Sequence, residues 1–339
     1  MFRVFPTSRR LAIPLLLVAS TLTLAQTLPA PNAREIRKGM VGALIRDADL
    51  FVAPSTDSSK IQTVTQGHEV AISESANGWI RVFANTDVEQ NPDEISIFGM
   101  DARAVPASGW ILDKGVVRKG QPEGDKILFG AAISAEADAS SGHGRRQSAE
   151  DARLLYKRLT EYFPDSPLAP EAMWRSADIR WQLEHEDSMS RPSAHEKESY
   201  LRGQMNEDEM HRIEKKYPHT KWADLAAWDI IQNKICGDWQ GSVKCPLHES
   251  ELYEKYAVEH PDSPRAAESL YEAAWRMAAA GDMYSGDDNK KKAEEARARA
   301  TELGKQIESK YPQSDYAARA STLVYKVEQS IPIYGSDRD

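Results

Sequence analysis

Four copies of one short phrase set the tightest limit on what this chain can fold into. It occurs as Tyr162-Phe163-Pro164-Asp165-Ser166, Tyr217-Pro218-His219-Thr220, His260-Pro261-Asp262-Ser263 and Tyr311-Pro312-Gln313-Ser314. Counting from each proline, the fifth residue on is Ala169, Ala223, Ala266 and Ala317, and the eighth is Ala172, Ala226, Ser269 and Ala320. Self-similarity on this scale is the mark of a stacked array. Apolar residues before each proline fall three or four apart, as in Leu155, Leu159 and Tyr162 or Leu303, Ile307 and Tyr311, which is one face of a helix. The proline cannot continue that helix and restricts the residue before it. Ser166, Thr220, Ser263 and Ser314 then stand where the next helix needs an N-cap, with Pro167 and Pro264 at its first position. Small residues at plus five and plus eight let the second helix approach the first closely. Each unit is thus a helical hairpin that buries its apolar face by leaning on its neighbours.

Residues 41–118 follow a different rule. Short runs rich in Val, Ile, Phe and Trp (Leu50 to Val52, Ile61 to Val64, Val70 to Ile72, Trp79 to Phe83, Trp110 to Leu112) are separated by Pro54-Ser55, Gln66-Gly67, Asn77-Gly78 and Ser108-Gly109. Short strands at close spacing predict an all-β barrel or sandwich. Asn77-Gly78 predicts a tight hairpin turn because both residues tolerate positive φ. Ahead of both regions, Arg3, Arg9 and Arg10 precede the uncharged run Leu11 to Leu24 and then Ala25. That order predicts an export signal over 1–25, cut at Ala25–Gln26. The run is too short for the ~20 residues of a membrane span, and no cysteine lies near the cut to accept a lipid. The chain is therefore read as exported, periplasmic or secreted, with no stable membrane span after cleavage.

The formal charge of -9 argues against a nucleic-acid partner, which needs basic surface. Two cysteines cannot supply a four-cysteine zinc site. In an exported chain Cys236 and Cys245 are read as a disulfide closing a loop. The rivals are a redox pair, whose motif has two intervening residues where this has eight, and a metal site drawing on His248, His211 or His219, which the spacing does not support. No glycine-rich phosphate loop and no spaced catalytic constellation is present, so no catalytic residue, cofactor or metal is assigned. The six tryptophans from Trp174 to Trp275 recur on or near the second helices and are read as packing between hairpins.

The run from Phe51 to Ser55, with Ile61, Gly67, Val70, Ile72 and Gly78-Trp79-Ile80-Arg81-Val82, resembles the bacterial SH3-like domain, and Gly109-Trp110-Ile111 resembles its last strand. The chain departs from that family by an insertion over about 86–105. The resemblance implies binding of peptides, often those of the cell wall, or a spacing role. Trp79 and Trp110 carry two readings: aromatic faces for such a ligand, or residues packed into the core or against a turn. The proline phrase resembles tetratricopeptide repeats, most of all those of periplasmic envelope proteins such as BamD and the Tol-Pal coordinator family. Its proline spacings of 54, 43 and 51 exceed that family's plain repeat, and the excess falls in polar stretches after the second helices, Glu184 to Glu207, Asn233 to Glu249 and Gly281 to Asn289.

The expected architecture is therefore multidomain β plus α, a small SH3-like barrel followed by a helical solenoid. Its parts are a signal at 1–25, a linker at 26–40, the barrel at 41–118, a linker at 119–147 with a short helix over Lys126 to Ala139, the repeat array at 148–330 with Pro164, Pro218, Pro261 and Pro312 as its signature, and a tail at 331–339. The expected role is a non-enzymatic envelope adaptor, binding protein partners through the array and a peptide or wall component through the barrel. The alternatives are an accessory subunit or enzyme of wall remodelling, and a periplasmic chaperone or carrier.

Overall fold

A computed structural model describes residues 40–85, 106–141 and 147–334. The export signal, the insertion at 86–105 and the end of the tail lie outside the described residues. Seven strands come first: β1 (Met40–Leu44), β2 (Ala48–Phe51), β3 (Lys60–Val64), β4 (Glu69–Ala76), β5 (Trp79–Ala84), β6 (Ala107–Leu112) and β7 (Val116–Arg118). They form one antiparallel sheet in the order β3-β2-β6-β5-β4-β1-β7. Alternation along β5 sends Ile80, Val82 and Ala84 inward and leaves Trp79, Arg81 and Phe83 half-buried outside. The inward set packs with Leu44, Leu50, Val64, Val70, Ile72, Ile111 and Val116. The Asn77-Gly78 turn has φ of 49° and 80°, as the tight hairpin requires.

Helices follow: α1 (Gly124–Ser140), α2 (Ser148–Tyr162), α3 (Ala169–Ser190), α4 (Asp208–Lys216), α5 (Lys221–Ile230), α6 (Lys244–Glu259), α7 (Ala266–Gly286), α8 (Lys290–Lys310) and α9 (Asp315–Glu328). The four prolines fall in the α2–α3, α4–α5, α6–α7 and α8–α9 connections. At each, the preceding residue takes nearly the same backbone shape. Phe163 has φ -132° and ψ 58°, Tyr217 -128° and 53°, His260 -126° and 58°, Tyr311 -128° and 51°. Each also donates its N–H to the carbonyl four residues back, so the last turn closes before the chain leaves the helical region. Thr220 and Ser314 cap α5 and α9, accepting from Ala223 N and Tyr316 N. Ser166 and Ser263, followed by proline, instead cap a single lead-in turn, in which their carbonyls accept from Ala169 N and Ala266 N before the α-helix begins. Ala169, Ala172, Ala226, Ala266, Ser269 and Ala320 are fully buried, as close helix approach demands. Ser269 replaces alanine at no polar cost because its hydroxyl donates to Tyr253 O across the hairpin, 2.6 Å.

The short helix expected over Lys126 to Ala139 spans 17 residues, 124–140, and its Leu128, Ala132 and Ala135 bury against α2. One stretch differs from the sequence expectation: the polar run from Glu184 onward is partly helix, since α3 runs on to Ser190 with Glu184 buried and bonded to Arg180, 2.7 Å, and Asn206 N, 2.6 Å.

Cys236 and Cys245 are joined, Cα atoms 5.9 Å apart. A ring this small is worth on the order of 2–3 kcal/mol through the unfolded chain. Native protein should show no free thiol to a thiol probe, and the Cys236→Ser, Cys245→Ser double variant should lose about that much stability in urea titration.

The barrel does not hang free of the array. Ala43 of β1 and Val117 of β7 share one core with Leu128, Leu155, Tyr156, Leu159 and Tyr162. Polar contacts rim it: Gln66 Nε2 donates to Asp151 Oδ2 at 3.2 Å, Arg158 Nε to Gly67 O at 3.3 Å, and Tyr162 Oη to Glu69 Oε2 at 2.8 Å. Burial, and then the Glu69 charge, push the Tyr162 phenol well above its ordinary range.

Candidate functional site

Two surfaces carry chemistry-bearing side chains. The first is the outer face of β2, β6 and β5. The hydrogen-bonded register sets Phe51 opposite Trp110, Trp110 opposite Arg81, and Trp79 opposite Leu112. Both tryptophans are half-buried and neither joins the barrel core. Phe51 packs edge-on against Trp79, ring centroids 5.8 Å apart and planes at 86°. Arg81 pairs with Glu74 at 2.9 Å, a charged border to the aromatic strip. Gly109 makes the strip possible. A Cβ there would lie 2.6 Å from Phe51 O, so only glycine lets β6 pass β2 this closely.

The second surface belongs to the second helices. Trp174 on α3 stacks on Trp222 of α5, 5.3 Å between centroids. Trp174 also donates to Asp229 Oδ2, 3.3 Å. One turn along α3, Asp178 accepts from Gln182, 2.7 Å. Burial, reinforced by the Asp178 charge, pushes the Asp229 carboxyl up to about 7, and burial raises Asp178 as well. Other array tryptophans pack as the sequence suggested. Trp181 is 3% exposed and donates to Gln232 Oε1, and Trp228 lies between Tyr253 and Tyr256 of α6. Between the first helices, clefts of about 220 Å³ at α2, α3 and α4 and about 140 Å³ at α4, α5 and α6 are lined by mixed charges such as Lys157 and Glu209, or Lys255 and Glu259.

The disulfide loop presents Trp239, which stacks on Tyr334 of the C-terminal segment, 5.6 Å, and tilts against Trp275, 5.8 Å. Beneath it Glu249, 1% exposed, accepts from Cys236 N at 3.1 Å, Trp239 Nε1 at 2.9 Å and Arg276 Nε at 2.6 Å. Nothing in the spacing around Glu249 marked it as the centre of this node. The legible sign was only an acidic residue four beyond a cysteine on an amphipathic helix. Among the described residues no helix is long and apolar enough to cross a membrane.

No curated protein matches the chain. Among solved structures it is similar to a filament titled DHF58, at 15% identity over 61% of this chain and 80% of that one with a TM-score of 0.23. It is also similar to the de novo designed helical repeat protein DHR64, at 14% identity over 61% and 94% with a TM-score of 0.19. Such scores give no common fold to argue from. The β region is different: residues 46–93, the stretch that builds the aromatic strip of β2 and β5, match the bacterial SH3 domain family.

Proposed function

We propose that the protein is a non-enzymatic adaptor of the bacterial envelope, exported by the signal at 1–25 and working in the periplasm. In this reading the bacterial SH3 domain engages a cell-wall component or peptide through Phe51, Trp79 and Trp110. The helical hairpins are tetratricopeptide-type repeats, akin to those of BamD and the Tol-Pal coordinator family, and hold a protein partner. The observation that supports it best is the half-exposed aromatic strip on a domain that is itself docked on the array, with β1, β7, α1 and α2 in one core. Rigid docking holds the two binding faces at a fixed distance, which is what an adaptor requires and a flexible tether would not give. Half-exposed aromatic rings are also the side chains that carry most energy at binding surfaces.

Co-sedimentation with purified wall sacculi tests the barrel half. The full chain should be retained, and the Trp79→Ala, Trp110→Ala double variant should lose at least about tenfold in affinity, as for other aromatic anchors. Retention that ignores both substitutions would count against the strip as the site. Release of soluble muropeptides during the same incubation would favour an enzyme instead.

A further inference from the structure

The segment after α9 turns back and fills a groove of the last hairpins as a bound peptide would. Its reversal is local. Ser330 N donates to Val327 O at 3.1 Å and Ile331 N to Lys326 O at 2.9 Å, with Ser330 at φ 55°, and Pro332 then bars further helix. Gln329, Ser330, Ile331 and Pro332 stay exposed, so only Ile333 and Tyr334 dock. Ile333 is 4% exposed and joins the apolar core of α6 to α9. Tyr334 stacks on Trp239 of the disulfide loop, their planes 23° apart. Asp282 of α7 takes the main chain between them: its Oδ2 accepts from Ile333 N at 2.6 Å and Tyr334 N at 3.3 Å. Arg297 of α8 holds the other carboxylate oxygen at 3.0 Å. Gly281 allows that approach, because a Cβ there would lie 2.8 Å from Arg297 Cγ.

These contacts divide as they do in a peptide groove, where main-chain bonds give affinity and side-chain pockets give specificity. A carboxylate that accepts two consecutive backbone N–H groups reads main chain. The core pocket admits a branched aliphatic side chain, and the indole face an aromatic one. None of the three needs its ligand to be covalently joined to α9. The strap is also lightly held, since two side chains dock and Ser330 sits in a left-handed conformation that L residues other than glycine disfavour. Its advantage is the tether, which supplies an effective concentration on the order of millimolar.

We propose that the groove at Trp239, Asp282 and the core of the last hairpins is a protein-binding site closed in cis by Ile333-Tyr334. Its partner is a non-helical segment carrying a branched aliphatic residue followed directly by an aromatic one, which displaces the strap by making the same contacts. The inference rests on the adaptor reading, in which the array holds a protein partner, and gives that partner its chemistry. The occupant is argued from the strap itself, which shows what the two pockets accept. While the strap is seated the groove is closed, so a partner's apparent affinity falls by the fraction of molecules that are open.

The test is selection from a random peptide display library on the full chain carrying Ile333→Ser and Tyr334→Ala, followed by fluorescence anisotropy of a recovered peptide. The expected result is enrichment of Ile or Val followed by Tyr, Phe or Trp. Such a peptide should bind the released variant about tenfold more tightly than the parent. Tyr334→Ala alone, which leaves Ile333 in the core, should fall between them and serves where the double variant folds poorly. Adding Trp239→Leu to the released variant should weaken binding about tenfold. Peptides that bind parent and released variant equally would overturn the closed groove and leave the array's partner-binding role standing. Peptides without the aliphatic–aromatic pair and indifferent to Trp239→Leu would do the same. A dimer of the parent on size-exclusion chromatography that the double variant abolishes would overturn the separate partner in favour of strap exchange between two copies. No recovered peptide at all would overturn both the groove and the array's role.

Discussion

Glu249→Ala should be among the most damaging single substitutions in the array, costing about 3–5 kcal/mol in urea unfolding at neutral pH. The glutamate is 1% exposed and answers three donors, the Arg276 guanidinium, the Trp239 indole and the Cys236 amide. Alanine would leave Arg276 with Glu272 as its remaining carboxylate, while two N–H groups lose their acceptor. The guanidinium cannot escape by losing its proton. Burial works against its charge, but Tyr253, Glu249 and Glu272 around it hold its pKa above the ordinary value, and it lies 4.5 Å from the Tyr253 ring centroid. Trp239 supplies an independent readout. Without Glu249 its ring is held only by Tyr334 and Trp275, so its fluorescence should shift to the red in the folded variant.

Two companions separate the roles of that side chain. Glu249→Gln keeps Oε1 in place for Trp239 and Cys236 but puts an NH2 donor where Oε2 accepted from Arg276 Nε, so it removes both the charge and that one hydrogen bond. It should therefore cost about half as much as alanine. Replacing the pair together, as Glu249→Met with Arg276→Leu, removes the stranded charge, which is often close to neutral for a buried pair. Here it should not be neutral, because the Trp239 and Cys236 donors would still be orphaned. If the double variant matched the parent, those two hydrogen bonds would carry no weight and the node would be an ion pair only.

The contrast between the hairpins and this node explains what the sequence could disclose. The hairpins were legible because their physics is local. A proline ends a helix wherever it stands, a following serine or threonine caps, and alanine at plus five and plus eight permits close packing. The near-identical shape of Phe163, Tyr217, His260 and Tyr311 is the same local rule applied four times. The strand runs were legible through alternation, and the cysteine pairing through compartment and loop size. Pairings across long separations were not. Nothing near Asp178 announces Asp229, and nothing near Gly67 announces Leu154. The outward placement of Trp79 and Trp110 was half legible: alternation sets them opposite Ile80 and Ile111, but which side of the sheet is core depends on the strands that pair with them. The helix over 124–140 was legible in its span but not in its burial, since its small residues become a packing surface only once α2 lies against them.

Gly67 shows how strongly one such distant pairing ties the barrel to the array. Its φ of +83° already excludes most side chains, and a Cβ there would lie 2.7 Å from Leu154 Cβ and 3.1 Å from Asp151 O, both on α2. Neither atom is the far end of a flexible chain, so relief requires moving β4 or α2. Gly67→Ala should cost about 2–4 kcal/mol, combining the left-handed penalty with overpacking. Gly78→Ala is the control. Its φ of +80° imposes a comparable backbone penalty, but nothing lies within 4 Å of the added methyl. It should cost about 1 kcal/mol, and the difference between the two measures the docking contact alone. Calorimetry distinguishes the mechanisms further. With the barrel and first hairpin sharing Ala43, Val117, Leu155 and Tyr162, the parent should melt that region as one unit, and Gly67→Ala should split off an earlier barrel transition. Equal costs at Gly67 and Gly78 with an unsplit transition would mean that the barrel and array are neighbours without being coupled, and the fixed spacing between their binding faces would lose its physical basis.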